Sequence, residues 1–176
     1  MDKSSSQALL AVAATVATLT VCSAAWAADP CQPVFDALTK VPTTPSHSYT
    51  TSTRVGGGTP TEAETIFANG QKYIRARGRW MHLPVTAQDV LEQEKKKQEK
   101  GKSTCQFVRN ESVNGEAAAL YSLHREYEGV QEDGQMWVSK ATGLPLRAEE
   151  DFDNQASRGK EHRSTRFEYG NVRPPM

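Results

Sequence analysis

The chain has 176 residues, 37% of them hydrophobic, and balances 21 basic against 21 acidic side chains. One domain is the default at that length. Zero net charge excludes the basic excess of a general nucleic-acid binder and the self-repulsion of a charge-extended disordered chain. Apolar residues are unevenly spread, with 17 in positions 1–27 and only 48 from 28 to 176. The body is therefore thin-cored and needs a covalent staple.

Residues 1–7 are polar with one lysine, and 8–21 are an uncharged apolar run. Ala25-Trp26-Ala27 then places small residues where a signal peptidase cuts. This three-part layout predicts a secretory signal removed after Ala27, hence export, and a single domain over 28–176. Two readings compete with it. A membrane anchor would have to use a short Ala- and Thr-rich run with no basic residues after it. Lipidation at Cys22 would have to proceed with Val21 before the cysteine, where a small residue is wanted.

Without Cys22, two cysteines remain, Cys31 and Cys105. An even pair in an oxidising compartment reads as a disulfide, and closing so long a loop is worth about 4 kcal/mol. Metal ligation would need partners, and His47, His82, His124 and His162 are scattered without ligand spacing. Neither a metal nor any other cofactor is expected.

Asp29-Pro30 reads as a helix start. Cys31, Val34, Phe35 and Leu38 follow at helical spacing on one apolar face, and Pro42 and Pro45 end the helix. Thr-rich alternation over 48–55 then predicts a strand that stops at Gly56-Gly57-Gly58. The strands 61–68 and 71–80 meet at Asn69-Gly70, a strong hairpin signal. That turn pairs 68 with 71 and 65 with 74, so Thr65, Phe67, Ile74, Ala76, Gly78 and Trp80 share a face. Thr86 and Asp89 form a capping box for a helix that ends at Gly101. Beyond Val90 and Leu91 this helix is charged, and it reads as an arm docked by its first turn alone.

Strands resume over 104–113 and 116–128 around Asn114-Gly115, and over 135–139 and 144–149 around Lys140–Gly143. A four-residue loop in the second hairpin sets Trp137 opposite Leu146 and Ser139 opposite Leu144. Trp137, Leu144, Leu146 and Ala148 then share a face. A polar turn at 154–159 leads to a last strand over 162–169. The sum is an α+β, mainly β fold. It is a curved antiparallel sheet, or unclosed half-barrel, with two helices covering its concave face.

Trp137-Val-Ser-Lys-Ala-Thr-Gly-Leu-Pro-Leu-Arg147 resembles a segment of the LolA/LolB-like superfamily of periplasmic lipoprotein carriers, whose relatives include the RseB/MucB-type sensor domains. The hairpin ending in Trp80 and the helix before the first strand fit the same resemblance. It implies a periplasmic protein whose unclosed barrel has helices plugging a hydrophobic cavity. It also implies either an acyl-chain or lipoprotein ligand or a membrane-anchored protein partner. Trp80, Trp137, Leu144 and Leu146 are the matching positions. With the apolar faces above, the expected cavity residues are Phe67, Ile74, Trp80, Phe107, Tyr121, Leu123, Trp137, Leu144 and Leu146.

The leading expectation is thus a non-enzymatic binding protein, acting as a monomer and without nucleic acid. The alternative is an interaction module using Lys95, Lys96, Lys97, Lys100 and Lys102. Catalysis has only His124 with Glu126, or His162 with Glu161, to offer, and no nucleophile or oxyanion turn accompanies either pair.

Overall fold

The computed structural model describes residues 29–154 and 159–175. The expected signal over 1–27, Cys22 and most of the 154–159 turn lie outside them. Helix α1 is Gln32–Lys40, followed by a short 3-10 turn at Val41–Thr43, and α2 is Ala87–Lys100. The strands are β1 (Ser46–Arg54), β2 (Thr61–Ala68), β3 (Gln71–Ala76), β4 (Arg79–Thr86), β5 (Lys102–Val113), β6 (Glu116–Tyr127), β7 (Val130–Ser139), β8 (Pro145–Asn154) and β9 (Gly159–Tyr169). They form one antiparallel sheet in the order β4-β3-β2-β1-β9-β8-β7-β6-β5. The sheet does not close, and β4 and β5 are its edges.

Both Asn-Gly hairpins have the expected register, with Ala68 opposite Gln71, Thr65 opposite Ile74 and Val113 opposite Glu116. Asn69 and Asn114 adopt the positive φ that such turns require. A third turn of this kind was not foreseen. Arg77 and Gly78 both have positive φ, so the expected strand 71–80 is two strands joined by a tight hairpin. The break reverses the chain, and Trp80 pairs with Arg75 instead of extending the Ile74 face. A similar turn at Glu128-Gly129 starts β7 five residues earlier than the sequence suggested.

The helix proper of α1 begins two residues later than expected. Asp29 Oδ1 accepts the Cys31 N–H at 2.9 Å and its carbonyl accepts the Gln32 N–H at 3.0 Å, so Asp29 caps the leading turn. The apolar face is as read from the spacing. Cys31, Val34 and Ala37 are buried with Cys105, Leu123, Met136, Val138 and Ala148, and Phe35, Leu38, Tyr121 and Phe167 pack around them. Cys31 and Cys105 form a disulfide that closes 74 residues and fixes α1 to β5.

A second cluster, Ala118, Leu120, Trp137 and Leu146, lies on the sheet's other face. Its position corrects the 135–149 hairpin. Ser139 does face Leu144, whose carbonyl takes the Ser139 N–H at 2.8 Å. Val138 then pairs with Pro145 and Trp137 with Arg147, so the register shifts and Leu146 is the extra residue. Pro145 has no N–H to give the ladder, and a bulge is where a strand tolerates that loss. Trp137 and Leu146 consequently leave the face of Ala148, which stays under α1 opposite Met136.

The capping box of α2 forms as expected, with Thr86 Oγ1 accepting from the Asp89 N–H at 3.2 Å and Asp89 Oδ2 accepting from the Thr86 N–H at 2.7 Å. Gly101 caps the helix in an extended conformation, where there is no room for a side chain. A Cβ there would come within 2.5 Å of the Lys97 carbonyl and 2.8 Å of the Glu126 carbonyl.

Candidate functional site

Side-chain alternation separates a helix-bearing face from an outer face. On the helix side lie Phe67 and Ile74 from the β2–β3 hairpin, and Phe107, Tyr121 and Leu123 from β5 and β6. Trp80, Trp137 and Leu146 belong to the outer side, and Leu144 is buried at the end of its hairpin loop. The nine expected cavity residues therefore do not meet in one place. Beneath α1, Val34 and Ala37 are fully buried against Leu123 and its neighbours.

A groove of about 600 Å³ runs beside α1, between that helix and β5, β6 and β7. Asp29 and one stripe of the helix, Gln32, Pro33, Asp36 and Lys40, form its wall, the helical residues at the spacing that puts them on one side. The sheet supplies an apolar floor of Phe107, Ala119, Tyr121 and Val138. Phe107 stands edge-on to Tyr121, with ring centroids 5.9 Å apart. It is 49% exposed, an unusual state for a large aromatic on an apolar floor. The pairing of Phe107 with Tyr121 and the bulge at Val108 together turn the ring into the groove.

Under α2 the surroundings are ionic. The half-buried residues of the helix are Ala87, Val90, Leu91, Glu94, Lys97 and Gln98, one inward stripe along its whole length. The expected solvated arm is thus docked throughout, by apolar side chains first and polar ones after. Glu94 Oε1 accepts from Arg125 Nη1 at 2.6 Å, and Glu132 Oε2 accepts from Arg125 Nη2 at 2.7 Å. Burial opposes the Arg125 charge, but Glu132 and Glu94 outweigh it and hold the guanidinium protonated. Glu150 lies beside them, opposite Gly134. Burial, with Glu132 next in effect, pushes its carboxyl up to about 7. A Cβ on Gly134 would stand 2.7 Å from the Glu149 carbonyl and 3.4 Å from the Glu150 side chain, so only glycine leaves that room. Lys72 also faces this region, and burial, then the charge of Lys97, lowers its pKa.

Sequence reading missed this cluster, though its signal was present. Arg125 continues the alternation of Tyr121 and Leu123, and Glu94 and Gln98 continue the stripe of Val90 and Leu91.

On the outer face His124, Asp133, Asp151 and His162 are successive cross-strand neighbours on β6, β7, β8 and β9. His124 Nδ1 lies 2.7 Å from Asp133, and His162 contacts Asp151 at 2.9 Å and Glu149 at 3.1 Å. Hydrogen bonds to Asp133 and Asp151 raise the two imidazoles above their ordinary range. Of the two pairs a catalytic reading had to offer, His162 with Glu161 is not among the contacts of the described residues. Adjacent strand residues point to opposite faces, and Glu161 bonds Arg163 instead. Glu126 sits 3.5 Å from His124 Nε2. Among the described residues, no group of three or more His, Cys, Asp and Glu is placed to hold a metal ion.

These elements define an open antiparallel half-barrel with both helices on one face and an apolar-floored groove at the α1–β5 side. No family model and no curated protein matches the chain. Among solved structures it is similar to lipoprotein LppX of Mycobacterium tuberculosis, at 7% identity and a TM-score of 0.42, over 80% of this chain and 94% of that one. It is similar to LprF of Mycobacterium bovis at 10% identity and a TM-score of 0.37, over 83% and 94%. It is also similar to MucB in complex with MucA(peri), at 14% identity and a TM-score of 0.44, over 83% of this chain and 57% of that one.

Proposed function

We propose that this is an exported, non-enzymatic binding protein, cut after Ala27, that holds a single apolar chain of a lipid or lipoprotein in the groove beside α1. The observation that carries the reading is the half-exposed Phe107 ring over a floor shared with Tyr121, Ala119 and Val138. A groove of about 600 Å³ lies within the ordinary range for small ligands. Each CH₂ it removes from water contributes about 0.8 kcal/mol, and no titrating group is needed for such binding. Ligand residues are then Phe107 and Tyr121, with Leu123 as packed core beneath α1.

The test is to isolate the exported chain without detergent and analyse its extract by lipid mass spectrometry, followed by titration with a fluorescent fatty acid. The reading requires co-purified acyl chains or saturable uptake, with affinity lowered at least tenfold by Phe107→Asp. A lipid-free protein that takes up no probe would sink it.

A second reading, docking to a membrane-anchored regulator, is supported by the exposed Lys95, Lys96 and Lys100 on the outward side of α2. Loss of partner capture on charge reversal of these lysines, with probe uptake intact, would favour it.

A further inference from the structure

The groove is electrically lopsided. Before α1 its wall carries Asp29, midway along the helix Asp36, and at the far end of the helix Lys40 and Lys140. Both carboxylates are engaged, Asp29 with the Cys31 N–H and Asp36 with Gln32 Nε2 at 2.6 Å. Neither lysine makes an ion pair among the described residues, although Asp36 stands one turn from Lys40 on the same stripe. Among the described residues the lysine ion pairs are Lys95–Glu99, Lys97–Glu94 and Lys160–Asp153. Lys40 Nζ donates to the neutral carbonyl of Thr142 at 3.1 Å, which uses one of its three N–H groups.

Gly143 leaves room for that contact, since a Cβ there would lie 2.5 Å from Lys40 Nζ, the far end of a flexible side chain. Gly143 also has φ of +68°, which glycine adopts without strain. The turn thus fixes one ammonium at the groove's end, beside the Ser139–Lys140 segment. Along α1 the stripe from Gln32 to Lys40 runs about 12 Å at 1.5 Å per residue. The apolar floor lies alongside that stripe.

We propose that the ligand class is a single-chain anionic amphiphile, its tail over Phe107, Tyr121 and Val138 and its acidic head between Lys40 and Lys140. This rests on the groove being the binding site, as read above, and adds the head-group charge and the direction of the bound chain. Asp29 at the opposite end disfavours the head there, so the chain binds preferentially in one orientation.

The test compares dodecanoate with its neutral counterpart monododecanoylglycerol, each below its aggregation concentration, by calorimetric titration of the exported chain at pH 8 and low salt. Dodecanoate is expected to bind about tenfold tighter, the scale of two partly exposed ion contacts. Lys40→Glu with Lys140→Glu should abolish that preference while leaving monododecanoylglycerol bound. Lys40→Gln with Lys140→Gln, a milder pair of changes, should abolish it too, and Lys95→Glu with Lys96→Glu on α2 should retain it. Equal affinity for the two ligands in the unaltered protein, or a preference that survives the Lys40 and Lys140 changes, overturns the inference and leaves the groove reading standing. Failure of both ligands to bind overturns the groove reading and the inference together.

Discussion

Glu150→Gln is the substitution with the most sharply defined outcome. In the folded protein the carboxyl is raised from its usual 4.5 to about 7 by burial and by Glu132. The folded state therefore holds this proton more tightly than the unfolded chain. A raised carboxyl contributes stability that is complete below the unfolded value and is lost as pH rises through the folded one. Converted at 1.36 kcal/mol per pKa unit, the loss amounts to about 3 kcal/mol, as an upper figure. Glutamine has the shape of the protonated acid and never ionises. The variant should match the parent near pH 4.5 and exceed it by about 2–3 kcal/mol at pH 8. Urea unfolding followed by tryptophan fluorescence at both pH values, for both proteins, reads the difference directly. His124 and His162 also titrate in this range, but they do so equally in both proteins and cancel. A stability difference independent of pH, or a glutamine variant weaker at pH 8, would refute the reasoning.

Three further outcomes follow from the packing. Glu94→Ala leaves Arg125 with only Glu132, so stability should fall by about 1–3 kcal/mol and the amides of α2 should lose hydrogen-exchange protection, whereas Lys96→Ala should change stability by under about 0.5 kcal/mol. Replacing Cys31 and Cys105 by serine should cost about 2–4 kcal/mol in denaturant unfolding, and reduction of the parent protein should reproduce the loss. Gly134→Ala forces a methyl against the Glu149 carbonyl, and a thermal midpoint lower by several degrees is expected.

What the sequence disclosed was whatever is decided locally. Asn-Gly turns set two hairpin registers, the Thr86–Asp89 box starts α2, and the spacing of Cys31, Val34 and Leu38 names the buried side of α1. What it withheld depends on distant partners or on weaker turn chemistry. Arg77-Gly78 makes the same kind of turn as Asn-Gly, but arginine rarely enters that conformation, so Trp80 was assigned to the wrong face. Pro145 altered its hairpin's register by withholding one donor, and that moved Leu146 and Trp137 together. Glu94 looked like one more solvated charge on a lysine-rich helix. Its partner lies 31 residues away on β6, and a pattern within a helix carries no record of such a pairing.

The strand order has a consequence for how the chain must assemble. β1 through β4 form one meander and β5 through β9 another, and only the pairing of β1 with β9 joins them in the sheet. Strands 46–54 and 159–169 come from opposite ends of the folded region, so this seam closes last when the chain emerges from its N-terminus. Until then each meander has an open edge, and β1 can recruit a wrong strand. The Cys31–Cys105 bond links α1 to β5 before β9 exists, so oxidation can hold the two halves in place while the seam is still open. A nascent chain halted at residue 158 would therefore be two tethered meanders, prone to pair with a neighbouring copy.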